Sequence, residues 1–562
     1  MRTMAIIVLV TVVVALALWY FLQPSHATMV LVNGVIHTVD DSMRVVQAVA
    51  IEQGMIAGVG TTDEIMHRFT ADTIVDLHGE AVYPGFTDAH AHLEGLGIAL
   101  MTLDLTGVNS VAAVREKVAL EIRHAGERAW VRGRGWDQNR WEGKKFPTSD
   151  DLDGGASDVA IFLVRVDGHA AWVNKRALAV AGITAATPDP QGGRILRQAD
   201  GTPTGILLDN AIDLVRRVMP GPTREERMEA VRLAVKECLR VGLTGVHDMG
   251  IDTELTGIYE ELIRRGELPF RVYGVVDGPG AAMDSMVARG PIIGGAEDHL
   301  TVRAVKLYAD GALGSRGAAL IEQYQDDPGN RGITMQSADA MQDLVRMAVR
   351  AGFQVCTHAI GDRANAMTLD AYENVLRTEG KGRDLRLRIE HAQVLAPSDI
   401  PRFALLGVIP SMQPTHCTSD MYWAGDRLGP VRAQTAYAWR SLIDAGSIIP
   451  EGSDFPVEFP SPLLGFASAV TRQDAQGSPE GGWYPEQCMT RAEALQGFTR
   501  WAAYAAFQEG FRGSIQPGKQ ADITVLAQDI MTIPPASIRS VRVSMTIVGG
   551  VVAYSSTESA GQ

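Results

Sequence analysis

Hydrophobic and polar positions fall into three regimes along this chain. Residues 4–22 are almost unbroken apolar sequence behind Arg2. Roughly 18 or more apolar residues can span a bilayer, whereas the apolar core of a cleaved signal is usually roughly 7–15 residues. Ser25-His26-Ala27 resembles a small-x-small cleavage site, so residues 1–27 read as either a membrane anchor or a signal peptide. In both readings the N-terminal segment contacts a membrane. The remaining chain is then exported, periplasmic or otherwise extracytoplasmic.

From residue 28 to 80 the pattern changes to short apolar strands and tight turns. Met29-Val30-Leu31-Val32 precedes the turn dipeptide Asn33-Gly34, and Gln53-Gly54 separates residues 48–51 from 55–59. These predict hairpins of a small β-sheet. Residues 510–562 carry a matching piece, with strands over 521–526 and 541–552. Both ends together predict one β-sandwich with a larger domain inserted between them.

From residue 81 to 509 strand-like runs alternate with amphipathic helices, the signature of βα units on a parallel sheet. Eight strand candidates cover 81–88, 243–247, 270–276, 301–308, 353–358, 385–391, 407–412 and 447–453. The predicted fold class is therefore α/β, a (β/α)8 barrel. Ser337 caps a predicted helix that ends at Arg350, with Gly352 beyond it, and Thr490-x-x-Glu493 reads as a capping box. About 150 residues separate the first two strands, far more than a crossover needs. This insertion, about 100–240, contains a strand over 158–166 and a hairpin around Asp200-Gly201. It reads as a lid or specificity subdomain.

Composition narrows the function. The chain has 562 residues, which suggests roughly two to four domains. Its net charge of −15 argues against a nucleic-acid partner. Cys238, Cys356, Cys417 and Cys488 form no Cys-x-x-Cys, and whether any pair is a disulfide stays open. Gly513-x-x-x-x-Gly518-Lys519 nearly spells a phosphate-binding loop, but Gln520 replaces Ser/Thr and a strand follows instead of a helix. There is no Gly-x-Ser-x-Gly and no His-Glu-x-x-His.

The chemistry lies at the ends of the predicted strands, where the active sites of such barrels are found. The first ends in His90-Ala91-His92, whose alternate side chains share one side of a strand and can bind one metal. The fourth carries Lys306, the fifth ends in His358, the sixth in His391 and the eighth in Asp454. A neutral lysine amine can form a carbamate with carbon dioxide, and its two oxygens can bridge two metals. Burial beside cations would make that amine available. The other reading of Lys306 is a cation for a substrate carboxylate.

This constellation resembles the amidohydrolase superfamily of metal-dependent hydrolases. The resemblance rests on residues 84–92, on these strand-end residues, and on residues 513–522, which look like that family's return to the sandwich. Residues 166–174, 310–316 and 360–363 are similar to the subgroup that contains N-substituted formamide deformylase and exoenzyme regulators. The resemblance implies that His90, His92 and Asp454 hold one divalent ion and that His358 and His391 hold a second. A carbamate on Lys306 would bridge them. Zinc suits imidazole best, with iron or manganese as alternatives. A hydroxide shared by two metals would attack a carbonyl carbon, and Asp454 would pass its proton to the leaving amine. The implied substrate is a small molecule with an amide-type C–N bond.

Other candidates are substrate contacts. His169 lies in the insertion, and Asp310 and Arg316 follow Lys306 on a glycine-rich loop. Arg316 reads as a carboxylate clamp or as a structural ion pair. Trp136 and Trp141 read as pocket lining or as core. His247 reads as supporting or substrate-facing, and His416, Asp420 and Arg427 are weaker candidates of the same kind. Two rival functions stay open: a deaminase of the same superfamily with one metal, and a regulatory or binding protein that has lost catalysis. Related barrels often pair, so a homodimer also stays open.

Overall fold

The computed structural model describes residues 24–125, 130–138, 141–153, 158–165, 170–190 and 193–556. The apolar run 4–22 lies outside these, and no described helix is long and apolar enough to cross a membrane. The chain divides into a unit of residues 1–93 with 234–562 and a second unit of residues 94–233.

In the first unit both chain ends build two sheets. One has the order Met55–Gly60, Ala48–Glu52, Ser25–Val32, Phe69–Asp76. The other has the order Val551–Ser555, Val543–Val548, Ile523–Leu526, Ala81–Pro84, Val35–His37, Val45–Val46. Leu31, Val49 and Ile51 from the first sheet share one buried cluster with Val82, Ile523 and Ile547 from the second. Asn33 (φ 56°) makes the expected turn in the left-handed region that Asn tolerates. The first strand begins at Ser25, so Ser25, His26 and Ala27 pair with Phe69, Thr70 and Ala71.

The same unit contains the parallel barrel. Its strands are Phe86–Ala91, Leu243–Ile251, Arg271–Asp277, Leu300–Tyr308, Gln354–Ala359, Arg388–His391 and Ile409–Ser411, paired in that order. The first strand is buried throughout, as expected where both faces are covered. The eighth position forms no full strand. Pro450 lacks an N–H for the ladder, and closure rests on a parallel bridge between Met412 and Glu451. Two bonds complete it: Ala89 N to Glu451 O (2.9 Å) and Asp454 N to His90 O (2.8 Å).

Two boundaries that bear on the site differ from the sequence reading. Residues 81–88 are not one strand: Ala81–Pro84 pairs antiparallel with Ile523–Leu526, and the barrel strand begins at Phe86. Gly85 sits at the break, where a Cβ would lie 2.3 Å from Thr244 Oγ1. The second barrel strand continues to Ile251. His247 is therefore inside the barrel wall and not at its end. Helix Ala338–Arg350 carries the expected Ser337 cap, and Thr490 and Glu493 form the expected capping box.

Asp522, in the C-terminal return segment, accepts two hydrogen bonds from Arg271 of the third barrel strand (2.6 and 3.0 Å). Both side chains are buried, so this pair is satisfied internally, as a buried charge must be.

The second unit is a mixed sheet in the order Gly193–Arg197, Pro203–Asp209, Ala170–Val173, Ala160–Arg165, Trp130–Trp136, Leu103–Asp104. Its first two strands are the hairpin expected around Asp200-Gly201. Trp136, Trp141 and Trp172 meet in its core with ring centroids 5.9–6.0 Å apart. Each indole N–H finds a backbone carbonyl: Leu163 for Trp136, Val108 for Trp141 and Thr148 for Trp172. The pocket reading of Trp136 is thereby corrected, because the ring has no exposed surface.

Candidate active site

The C-terminal ends of the barrel strands gather a histidine cluster. His90 and His92 lie with ring centroids 5.8 Å apart, His90 and His391 4.6 Å, and His358 and His391 4.7 Å. Lys306 Nζ lies 3.3 Å from His90 Nε2. Asp454 Oδ1 lies 3.1 Å from His92 Nε2 and 3.6 Å from His90 Nε2. The six strand-end residues named from the sequence thus meet in one place.

Hydrogen bonds fix which nitrogen each ring presents. His92 Nδ1 is 2.7 Å from Met249 O. A carbonyl only accepts, so Nδ1 carries the proton and Nε2 offers its lone pair. His90 Nδ1 donates to Glu390 Oε2 (2.6 Å), and His391 Nδ1 donates to Gln413 Oε1 (2.7 Å). Burial, then the charge of Lys306, pushes His90 down to about 4 and His358 down to about 3. Burial likewise holds His391 well below its usual value and lowers Lys306. Burial alone would raise Asp454, but His92 at 3.1 Å and the other facing imidazoles outweigh it and hold the carboxyl well below its usual range. His90, His358 and His391 are thus held neutral beside an ionised carboxylate, the protonation states that metal ligation requires, whereas at His92 burial is outweighed by the adjoining Asp454 carboxylate, which raises it.

Backbone conformation contributes too. His391 (φ 76°) and Asp454 (φ 59°) occupy the left-handed region, uncommon outside glycine and often found at functional sites. Consecutive residues of a regular strand point to opposite faces. The sixth strand ends at His391, and there Glu390 and His391 both reach His90.

A layer of buried charge supports the cluster. Arg388 donates to both oxygens of Glu390 (2.8 and 3.0 Å), to Ser411 Oγ (2.9 Å) and to Ala89 O (2.7 Å), and its Nη1 lies 2.9 Å from His247 Nδ1. The sequence reading missed Arg388 and Glu390. Their signal was available: two opposite charges at i and i+2 of one strand point to one face. His247 belongs to this buried layer and does not face substrate.

Two further expectations are corrected. Asp310 is fully buried, and its carboxylate accepts from the backbone N–H groups of Ala319, Ile360 and Gly361. It braces a loop and has no free edge for substrate. Arg316 spends its fork on Asp326 (3.1 and 2.9 Å), which also pairs with Arg427. His169 lies outside the described residues.

Among the described residues, two groups offer metal-ligating atoms within 4.8 Å of one another: His90, His92 and Asp454, and His391, His416 and Asp454. Asp454 Oδ1, His358 Nε2 and His416 Nε2 are buried without hydrogen-bond partners. Such atoms are costly to leave unpaired, and a divalent cation would satisfy them, so the donor set fits a metal. A cavity of about 480 Å³ lies elsewhere, among Val408, Ser447, Trp501 and Tyr504. It holds none of these donors, so chemistry and not concavity locates the site.

Comparison with known proteins identifies the family. A protein of Bacillus subtilis (strain 168) named amidohydrolase YtcJ is 34% identical over 529 residues, covering 93% of this chain and 98% of that one. N-substituted formamide deformylase of Arthrobacter pascens is 29% identical over 547 residues, covering 94% and 99%. The crystal structure of an uncharacterized metal-dependent hydrolase from Pyrococcus furiosus matches with a TM-score of 0.74 at 26% identity, covering 90% of this chain and 100% of that one. The model of the amidohydrolase family matches residues 73–554. The chain therefore belongs to the amidohydrolase family and is a metal-dependent hydrolase acting on carbon–nitrogen bonds.

Proposed function

We propose that this enzyme hydrolyses an amide-type bond of a small molecule at a two-metal centre, with a carbamate on Lys306 between the ions. The observation that carries this is the 3.3 Å approach of Lys306 Nζ to His90 Nε2 inside the buried cluster. An ammonium there would repel a cation. Burial lowers Lys306 and favours the neutral amine, whose nitrogen adds to carbon dioxide with loss of one proton. The carbamate would present two oxygens in place of the amine.

His90, His92 and Asp454 would hold one ion, and His358 and His391 the other, with zinc best suited to imidazole. Divalent ions supply Lewis acidity toward a carbonyl and a water of lowered pKa. Asp454, ionised and beside His92, would take the proton of the attacking water and deliver it to the leaving amine. The name of the Arthrobacter pascens relative makes N-substituted formamides the first substrates to screen. We further propose that the apolar run 4–22 anchors an exported enzyme. In support, Ser25, His26 and Ala27 belong to the first strand, and cleavage after Ala27 would remove three paired residues.

The test is metal analysis of the purified protein beside Lys306→Ala, with bicarbonate supplied. The expected result is about two ions per chain, with loss in the variant. One ion in both proteins would overturn the bridging role and favour a one-metal deaminase.

A further inference from the structure

His416 is a buried metal-type donor outside the ligand set proposed above. It stands near the start of helix Pro414–Arg432, which follows the seventh barrel strand. The residue is only 7% exposed. Its ring lies roughly parallel to His391, at 6.0 Å and 20°. Its Nδ1 is engaged with the Gln393 amide at 3.3 Å. Its Nε2 lies 3.7 Å from Asp454 Oδ2 and has no hydrogen-bond partner. A histidine serving only as packing would be expected to use both nitrogens when buried.

We propose that His416 is a direct ligand of a divalent metal ion, completing with His391 and Asp454 a second three-residue face of the centre. The inference rests on the metal-dependent reading of the site. It requires neither the carbamate nor a particular substrate. The first face is His90, His92 and Asp454; the second is His391, His416 and Asp454. Asp454 belongs to both, with Oδ1 toward His92 and Oδ2 toward His416. Each histidine of the second face has a glutamine at Nδ1, with opposite polarity: His391 Nδ1 donates to Gln413 Oε1, whereas Gln393 Nε2 lies 3.3 Å from His416 Nδ1. Ligation through His416 Nε2 places the ring proton on Nδ1 and turns the Gln393 amide oxygen to accept it, as an outer-shell partner of a ligating imidazole does. All three donors are nitrogen or oxygen, a set that suits zinc or cobalt.

The experiment uses the full chain with its native ion exchanged for Co²⁺. In His416→Cys a ligating thiolate adds a sulfur-to-cobalt absorption band in the near ultraviolet. Wild type and His416→Ala, loaded equally, supply the baseline. Co²⁺ titration of His416→Ala, in protein whose circular dichroism matches wild type, is expected to show at least about tenfold weaker binding of one ion. Either the band or that loss supports ligation. A cysteine variant without the band, together with an alanine variant that binds cobalt as wild type does, overturns it. A wild type that takes up only one cobalt overturns the two-metal reading alone, because both readouts can still be scored on the bound ion.

Discussion

His90 Nδ1 and Glu390 Oε2 are 2.6 Å apart, and neither side chain has more than 1% of its surface exposed. This carboxylate fixes the tautomer of His90 and turns its other nitrogen toward Lys306 and Asp454. Arg388, in turn, holds Glu390. A histidine of the His-x-His motif thus depends on a charge pair carried by the sixth barrel strand, 300 positions away at Glu390.

Replacing Glu390 tests that dependence. Glu390→Gln keeps the volume but lets the amide present a donor to His90. We expect metal affinity to fall about 10–100-fold. A chelator competition assay measures this directly. Unchanged affinity would show that His90 needs no carboxylate to be positioned.

Glu451 predicts a pH dependence of stability. It is fully buried, and neither carboxylate oxygen has a hydrogen-bond partner. Burial, with the charge of Glu493, raises its folded-state pKa well above the ordinary value. The folded state therefore binds this proton more tightly than the unfolded one. The contribution is complete below the unfolded pKa of about 4.3 and is lost as pH rises through the folded pKa. Glu451→Gln removes the titration. It should raise Tm at pH 8 more than at pH 4, and equal shifts at both would contradict the argument.

Gly85 predicts a steric limit. A Cβ there would lie 2.3–2.8 Å from Oγ1, Cγ2 and Cβ of Thr244. Gly85→Ala should destabilise by about 1–3 kcal/mol through overpacking. Thr244→Gly should recover part of that loss in a double-mutant cycle read by urea unfolding. Simple additivity would mean that the two residues do not collide.

Trp136 separates core from pocket. Its ring is buried among Trp141 and Trp172, and its N–H is bonded to Leu163 O. Trp136→Ala should cost about 3–5 kcal/mol, while Trp136→Phe should leave KM near that of wild type. A large rise in KM with unchanged thermal stability would return Trp136 to the substrate pocket.

Much of this protein is written in local pattern. Alternating βα periodicity specifies a parallel barrel because each strand must be covered on both faces. His-x-His specifies two imidazoles on one side because a strand repeats every two residues. Ser337 and Thr490 mark helix starts because a side-chain oxygen there satisfies a free backbone N–H. His358, His391 and Asp454 were legible because each stands where a strand-like run stops, and Lys306 because it lies near the C-terminal end of one.

Tertiary structure decided what depends on distant partners. Residues 81–88 divide at Gly85 because Ala81–Pro84 finds Ile523–Leu526, more than 400 positions away. Asp310, Arg316 and Trp136 carry functional-looking side chains, but backbone amides, Asp326 and an indole cluster claim them. Glu390 and His416 gain their importance only from what surrounds them once the barrel has folded. Periodicity is a property of neighbours in sequence. Hydrogen-bond satisfaction and desolvation belong to neighbours in space, and only the folded chain sets those.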